Sequence, residues 1–357
     1  MAGPIHEFTQ LPGGGPAGAA RESASGPALR GSVKRAAGEP LVGLIYNPRS
    51  HRNRGADLGG FDRPGVLQAR PDSREEIAGA LGRLADAGID MLVINGGDGT
   101  VRDVLTAAQP FFGEDWPAIA VLPKGKTNAL NIDLGAPRDW TLDDAIAAWK
   151  AGRRARRRPL AFTASDAQLS AVPMLGFILG AGAIAQGVKT GQSAHALGAF
   201  NSFAVGLAGF WGVVTSLLGS DDNPWRRGAA MDIVLGPGGE RLGVDHAHQQ
   251  APRRFLLLST TLERLPMGIR PFGPHSTTGG EGIKLAVLDR PRRWLVGLFP
   301  AIALGWAPGW LERAGYHQRV AEAFDLDIDA QFIVDGEIFP AGRYRVAQGP
   351  ALDFVVP

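Results

Sequence analysis

The chain has 357 residues, more than a single hydrophobic core usually organises, so two domains are expected. Apolar residues make up 45% and charged residues 20%, a globular balance, and 37 Lys and Arg against 35 Asp and Glu leave a net charge of +2, too near neutral to suggest a nucleic-acid partner. With no cysteine, a disulfide framework, a cysteine nucleophile and a cysteine-bearing zinc site are all excluded, and a reducing cytoplasm suits the composition.

Residues 1–39 are rich in Gly, Pro, Ala and Ser, as in "LPGGGPAGAA", and read as a disordered leader lacking the apolar core of a secretory signal. From Leu41, "LVGLIYNPRS" predicts a short buried strand entering an Asn-Pro loop, and "GVLQARP" a second strand. "SREEIAGALGRLADAGID" predicts a helix: Ser73 and Glu76 form a capping pair, apolar residues recur at helical spacing, and Gly88 closes it. "MLVINGGDGT" is an apolar strand running into a glycine loop. A helix over "VRDVLTAA", a strand at 118–122 and a helix opening in "NALNIDLG" follow. Alternating strands and helices predict a parallel sheet with helical crossovers.

After the basic run at 153–158 the pattern changes to short alternating segments such as "MDIVLG", "RFLLLSTT", "IKLAVLD" and "FDLDIDAQFIVDGEI", which predict a mainly β domain. Two long apolar stretches, 197–219 and 294–311, approach the length of a membrane span. Asn201, Ser202, Thr215 and Ser216 interrupt the first, and Pro300 and Pro308 the second, which favours core or interfacial helices.

Two stretches bear on phosphate. "AVLPKGKTNAL" holds Gly125-Lys126-Thr127, the close of a P-loop, but the earlier glycine of that pattern is Ala120, and Pro123 removes a backbone N–H from the cradle. "INGGDGT" is the better candidate. Gly96, Gly97 and Gly99 surround Asp98 between a strand and a helix, where glycines admit an anion to the backbone and a helix N-terminus, expected near Thr100, offers unpaired N–H groups. A tight turn needs one or two glycines, not an Asp and a Thr threaded among three.

"YNPRS" (46–50), "GGDGT" and "LPKGKTNALNIDLG", in this order and at these separations, resemble the catalytic domain of the diacylglycerol kinase and sphingosine kinase superfamily of lipid kinases. The later segment "GYHQRVAEAFDLDIDAQFIVDGEIF" is similar to that family's closing segment, which ends in Asp-Gly-Glu. The resemblance runs from about Leu41 to the C-terminus. It implies an α/β N-terminal domain of the NAD-kinase and diacylglycerol-kinase type over 40–158, and a mainly β, sandwich-like lipid-substrate domain over 159–340. The segment 341–357 would return to the first domain. The implied activity is transfer of the γ-phosphate of ATP, with Mg2+, to a diacylglycerol-like or sphingoid hydroxyl, by a cytoplasmic protein docked peripherally on a membrane.

By the same resemblance Asn47, Ser50, Gly96, Gly97, Gly99, Thr100, Gly125 and Asn128 would surround ATP, and Glu337 would be the base. Asp98 is a rival base or arranges metal and phosphates. Three departures accompany the likeness. Lys126 replaces the family's Thr or Ser, and either places a positive charge at the triphosphate or faces solvent. Glu281-Gly282 replaces an Asp-Gly pair tied to a structural magnesium, and "TTLERLPMGIRPFG" replaces a lipid-facing glycine cluster. Taken alone, Asp335-Gly336-Glu337 reads as a β-turn, and His51, His195, His275 and His317 lack metal-ligand spacing. For the membrane, 153–158 offers cations to anionic phospholipid and 200–211 offers aromatic side chains, with a solvated interdomain hinge as the other reading of the basic run. A homodimer is compatible with the sequence. An NAD kinase, which shares the Gly-Gly-Asp-Gly loop, and a catalytically weak nucleotide- or lipid-binding protein are the competing functions.

Overall fold

The alternating segments of the N-terminal part build one sheet in a computed structural model that describes residues 7–11, 28–53, 61–166, 171–187, 228–242, 251–273, 282–289 and 293–357. Its strands are β1 (Arg30–Gly31), β2 (Val42–Tyr46), β3 (Val66–Ala69), β4 (Met91–Gly96), β5 (Ala118–Pro123), β6 (Arg154–Arg157) and the chain's last strand, Leu352–Val355. They lie in the order β1-β3-β2-β4-β5, last strand, β6. The five inner strands run parallel, with β1 and β6 antiparallel at the edges. β2, β4 and nearly all of β5 are buried along their length, which is why they read as unbroken apolar runs.

Helices cover both faces of this sheet. α1 (Arg74–Asp86) is capped by Ser73, whose hydroxyl accepts the Glu76 N–H, and the chain leaves it through Gly88 at φ 66°. α2 (Asp98–Phe112) packs on α1. It continues through Pro110, which has no N–H to give Thr106 O; the Gln109 side chain donates to that carbonyl instead. The helix starts at Asp98 rather than near Thr100, with extended Gly97 as its cap. After α3 (Ala129–Asp133), α4 (Leu142–Lys150) closes the other face with a capping box between Thr141 and Asp144. There Trp140, Leu142, Ala145 and Ala148 pack on Val42, Leu44, Val93 and Leu122.

The basic run is largely strand. Four of its residues are β6, and four of its five arginines contact protein groups. Arg157 pairs with fully buried Asp133 (2.7 Å) and Arg156 with Asp353 (2.9 Å); Arg154 lies 5.6 Å from the centre of the Trp149 ring, and Arg158 donates to Gly349 O (3.0 Å).

The chain divides into this unit, comprising Pro12–Pro159, Ala167–Leu175 and Gly349–Pro357, and a second, comprising Met1–Leu11, Leu160–Asp166 and Gly176–Gln348. The later strands are β7 (Leu160–Ala164), β8 (Met174–Gly176), β9 (Ile178–Gly182), β10 (Ala229–Gly236), β11 (Glu240–Arg241), β12 (Arg253–Thr260) and β13 (Ile283–Asp289). They continue with β14 (Tyr316–Ala321), β15 (Ala323–Ile328), β16 (Phe332–Val334), β17 (Glu337–Phe339) and β18 (Gly342–Gln348). In the second unit β17-β16-β9-β12-β10-β15-β18-β7 lie side by side, with β13 and β14 extending from β12, and their pairings are antiparallel. Alternation is plain in β10, whose residues are buried and half-buried in turn.

The stretch 294–311 forms α5 (Arg293–Gly297), α6 (Phe299–Ala303) and the start of α7 (Trp310–Arg313). Leu295, Ile302 and Leu311 from these helices join Phe255, Leu265, Phe272 and Leu288 in one core. Among the described residues no helix is long and apolar enough to cross a membrane; the stretch 197–219 lies outside them. Two pieces of the expected disordered leader are seated. Phe8 stacks on Phe339 (4.6 Å between ring centres) and donates its N–H to Ile338 O, and β1 pairs with β3. Each is held by an aromatic ring or a two-residue ladder, too short to leave a periodic signal.

Candidate active site

β2 and β4 are neighbouring parallel strands with Tyr46 opposite Asn95, so their carboxyl ends deliver the Asn-Pro loop and the glycine loop side by side. The Asn47 N–H donates to Asn95 O (3.1 Å), and its amide nitrogen donates to Thr100 Oγ1 (2.7 Å). Its side-chain oxygen accepts the Arg49 N–H (2.9 Å), a local turn that fixes the amide's direction. Asn53 lies buried beneath and donates to both Asn47 O and Asn95 Oδ1 at 2.7 Å. Buried Ser50 donates its N–H to Asn47 O (3.3 Å). Fully buried Asn95 retains one amide nitrogen without a partner among the described residues.

The glycine loop and the Lys124–Asn128 loop approach as backbone against backbone. A Cβ added to Gly97 would stand 2.8 Å from Gly125 Cα, and one added to Gly125 would stand 2.7 Å from Gly97 Cα. No side chain fits at either position. A Cβ on Gly96 would strike Thr100 at 2.5 Å. The second loop is folded by Asn128, which has left-handed φ and ψ of 52° and 54°. Its amide grips Gly125 from both sides, accepting the N–H at 2.7 Å and donating to the carbonyl at 3.0 Å. Lys124 N–H donating to Gly96 O (3.0 Å) ties the two loops together. Gly99 and Thr100 lie in the first turn of α2, a 15-residue helix whose N-cap, Gly97, contributes no side-chain hydrogen bond. Its leading N–H groups therefore carry the positive end of the helix dipole without a capping side chain.

The Asp98 carboxyl is held by backbone groups of the neighbouring loop. The residue is partly exposed, but its carboxyl is enclosed and faces the backbone N–H groups of Ala129, Leu130 and Asn128. Burial pushes the carboxyl above the usual aspartate range, against the pull of those donors. The carboxylate thus pins the start of α3 and Asn128 to the start of α2.

Lys126 is exposed. The neighbouring Lys124 is the lysine that the surroundings perturb: it is half-buried, and burial first and the Arg52 charge second hold its ammonium below the usual lysine range. Arg52 donates its N–H to Lys124 O (3.1 Å) and its guanidinium to Arg138 O (2.9 Å). Two cations brought together beside an uncapped helix N-terminus favour an anion. Sequence reasoning missed Lys124, Arg52, Asn53 and Asn95. The available signal was their position: Lys124 fills the variable place in Leu-Pro-x-Gly, and Asn95 is the polar residue near the end of an otherwise apolar strand.

Glu337 belongs to the second unit, as the first residue of β17. Asp335 (φ 50°) and Gly336 (φ 85°) form a tight turn between β16 and β17, so the β-turn reading of this segment holds for its first two residues. The Asp335 carboxylate accepts the N–H groups of Phe177 and Ile178, both at 3.0 Å, anchoring the turn to β9. Glu281, His195 and His275 lie outside the described residues. His51 is exposed, and buried His317 bonds Asp289 at 2.8 Å. Among the described residues no three His, Asp or Glu gather as metal ligands.

Residues 42–160 match the family model of the diacylglycerol kinase catalytic domain. No curated protein sequence matches the chain. Three solved structures of Bacillus anthracis str. Sterne proteins named for diacylglycerol kinase resemble this one. The first has a TM-score of 0.57 at 14% identity, covering 90% of this chain and 97% of that one. The second scores 0.56 at 14% identity, covering 88% and 97%, and the third 0.54 at 13%, covering 88% and 96%. At such identity the likeness is one of fold: a mostly parallel α/β sheet with helices and an antiparallel β-rich unit.

Proposed function

We propose that this chain, which carries a diacylglycerol kinase catalytic domain over residues 42–160, is an ATP-dependent kinase that phosphorylates a diacylglycerol-like or sphingoid lipid hydroxyl. The observation that supports it best is the backbone contact of Gly97 with Gly125 at the uncapped N-terminus of α2, with Lys124 and Arg52 alongside. Phosphoryl transfer is chiefly positioning and charge stabilisation, and these parts supply both. Backbone N–H groups at Gly97, Gly99 and Thr100 receive phosphate oxygens, Asn47 and Ser50 border the same loop, and Gly125, Lys126 and Asn128 close it. Asp98 holds the two loops in register.

In this reading Glu337 takes the proton of the lipid hydroxyl, an assignment that rests on the resemblance of Asp335-Gly336-Glu337 to the family's closing motif. The hydroxyl oxygen bonds the γ-phosphorus, the bond to the bridging oxygen breaks, and ADP leaves with the electron pair. Magnesium fits as a companion of ATP, since such ions keep mostly water and phosphate oxygens as ligands and need no protein cage. It would neutralise phosphate charge. The acceptor hydroxyl lies at headgroup level, so the enzyme would work from the cytoplasm on the membrane surface.

The test is radiolabelled ATP with magnesium against a panel of extracted lipid classes and NAD. Label in a lipid that is lost with Glu337→Gln supports the proposal. Label in NAD instead, or ATP binding without transfer to any lipid, overturns it in favour of an NAD kinase or a binding protein respectively.

A further inference from the structure

Four of the six exposed large apolar side chains among the described residues fall in two segments of the second unit: Met267, Trp294, Leu304 and Trp306. Met267 is 94% exposed and Leu304 77%. The two segments are joined. The Arg270 N–H donates to Ala303 O, immediately before Leu304, at 2.6 Å, and a Cβ on Gly305 would meet Arg270 Cβ at 3.4 Å. Trp306 and Trp294 both rest on Trp310, with ring centres 5.5 and 5.7 Å away.

This is the outer side of a layer whose inner side is already satisfied. Leu265, Phe272, Leu295, Ile302 and Leu311 fill the core beneath. Met267 sits at a turn tip with a left-handed backbone (φ 62°), a conformation that costs a non-glycine residue energy and presents its side chain outward. Indole rings, a leucine and a flexible thioether next to cationic side chains form the composition that partitions at a bilayer surface. The cations are Arg270 and Arg313, both exposed and, among the described residues, without an ion pair. The adjoining acid, Glu312, is occupied by Arg319.

We propose that Met267, Trp294, Leu304 and Trp306, flanked by Arg270 and Arg313, dock this protein on an anionic lipid surface, with the apolar side chains among the acyl chains and the arginines at the phosphates. This rests on the lipid-kinase reading for its purpose but not for its test. The surface is separate from the basic run, in which Arg156 and Arg157 pair with Asp353 and Asp133; the other expected insertion segment, 200–211, lies outside the described residues.

The full chain is sedimented with vesicles of phosphatidylcholine and phosphatidylglycerol, without ATP. Wild type should bind, less well as salt rises, and its tryptophan emission should be quenched by bromine-labelled acyl chains. Met267→Gly, which suits the left-handed backbone, and Leu304→Ser should each weaken binding by about tenfold while melting like wild type. Their activity on a short-chain, water-soluble acceptor should be unchanged. Binding equal to wild type in both variants overturns the proposal. So does self-association abolished by Leu304→Ser without vesicle binding, which would make a second copy the occupant. Vesicle binding that depends on these residues in a protein that phosphorylates no lipid would leave the docking surface standing and remove the kinase reading; a soluble acceptor phosphorylated without vesicle binding would do the reverse.

Discussion

The Asp98 carboxyl does two things at once: it is enclosed, which raises its pKa, and it holds the N–H groups of residues 128–130. A carboxyl raised on folding contributes stability that is complete below the unfolded pKa and is lost as pH rises through the folded one. Relative to Asp98→Asn, wild type should therefore lose melting temperature as pH climbs from about 4, a trend that thermal scans across pH would show. A pH-independent difference would contradict the enclosed carboxylate. Turnover of Asp98→Asn should fall on the order of 100-fold with the fold intact, since a small displacement of a positioning loop is costly to catalysis. The neighbouring lysines separate by burial. Lys124→Ala should raise the KM for ATP by about tenfold, as expected for losing one charge-assisted contact, whereas exposed Lys126→Ala should raise it less and Lys126→Thr should be tolerated. Steady-state kinetics of the three variants would test this order.

At the scale of elements, the two loops meet through glycines whose role is absence of volume. Gly97 has φ −98°, which alanine adopts freely, so the effect of Gly97→Ala would come from contact with Gly125 alone. It should cost about 1–3 kcal/mol of stability, as overpacking does, and lose ATP binding by calorimetry. β6 gives a second contrast. Arg157 faces an Asp133 side chain with 0% exposure, while Arg156 is largely in water and Asp353 about half so. Arg157→Ala should cost about 3–5 kcal/mol by stranding a buried carboxylate, and Arg156→Ala no more than about 1 kcal/mol, in urea titrations. Equal small effects would return the run to the role of a solvated cationic face.

For the whole molecule, the order of the first sheet sets a constraint that runs from one end of the chain to the other. The last strand lies between β5 and β6, with Leu352 and Phe354 fully buried and Val355 nearly so. Removing those three side chains alone forfeits roughly 6 kcal/mol, comparable to the stability of a domain. Deleting 350–357 should leave the first unit unfolded, and Phe354→Ala should cost about 3–5 kcal/mol; amide exchange of β4 and β5 would report both.

Local signals settled much of this protein. Runs such as "MLVIN" and "AIAVL", alternating with helical segments, read as buried parallel strands, and Ser73 with Gly88 bounded α1 because caps act within a few residues. Glycines threaded with Asp and Thr between strand and helix marked the candidate anion-binding loop by the same short-range logic. The tertiary structure decided what depends on residues distant in sequence. It chose Lys124 over Lys126 as the lysine held against another cation and turned the Asp98 carboxyl toward residues 128–130. It made the arginine run a strand opposite Asp353, and it sorted 294–311 into an inner core and an outer tryptophan-bearing face. Periodicity reports which residues seek burial. Which partner buries them, and which of them remain in water, is fixed only when strands and helices far apart in the chain pack together.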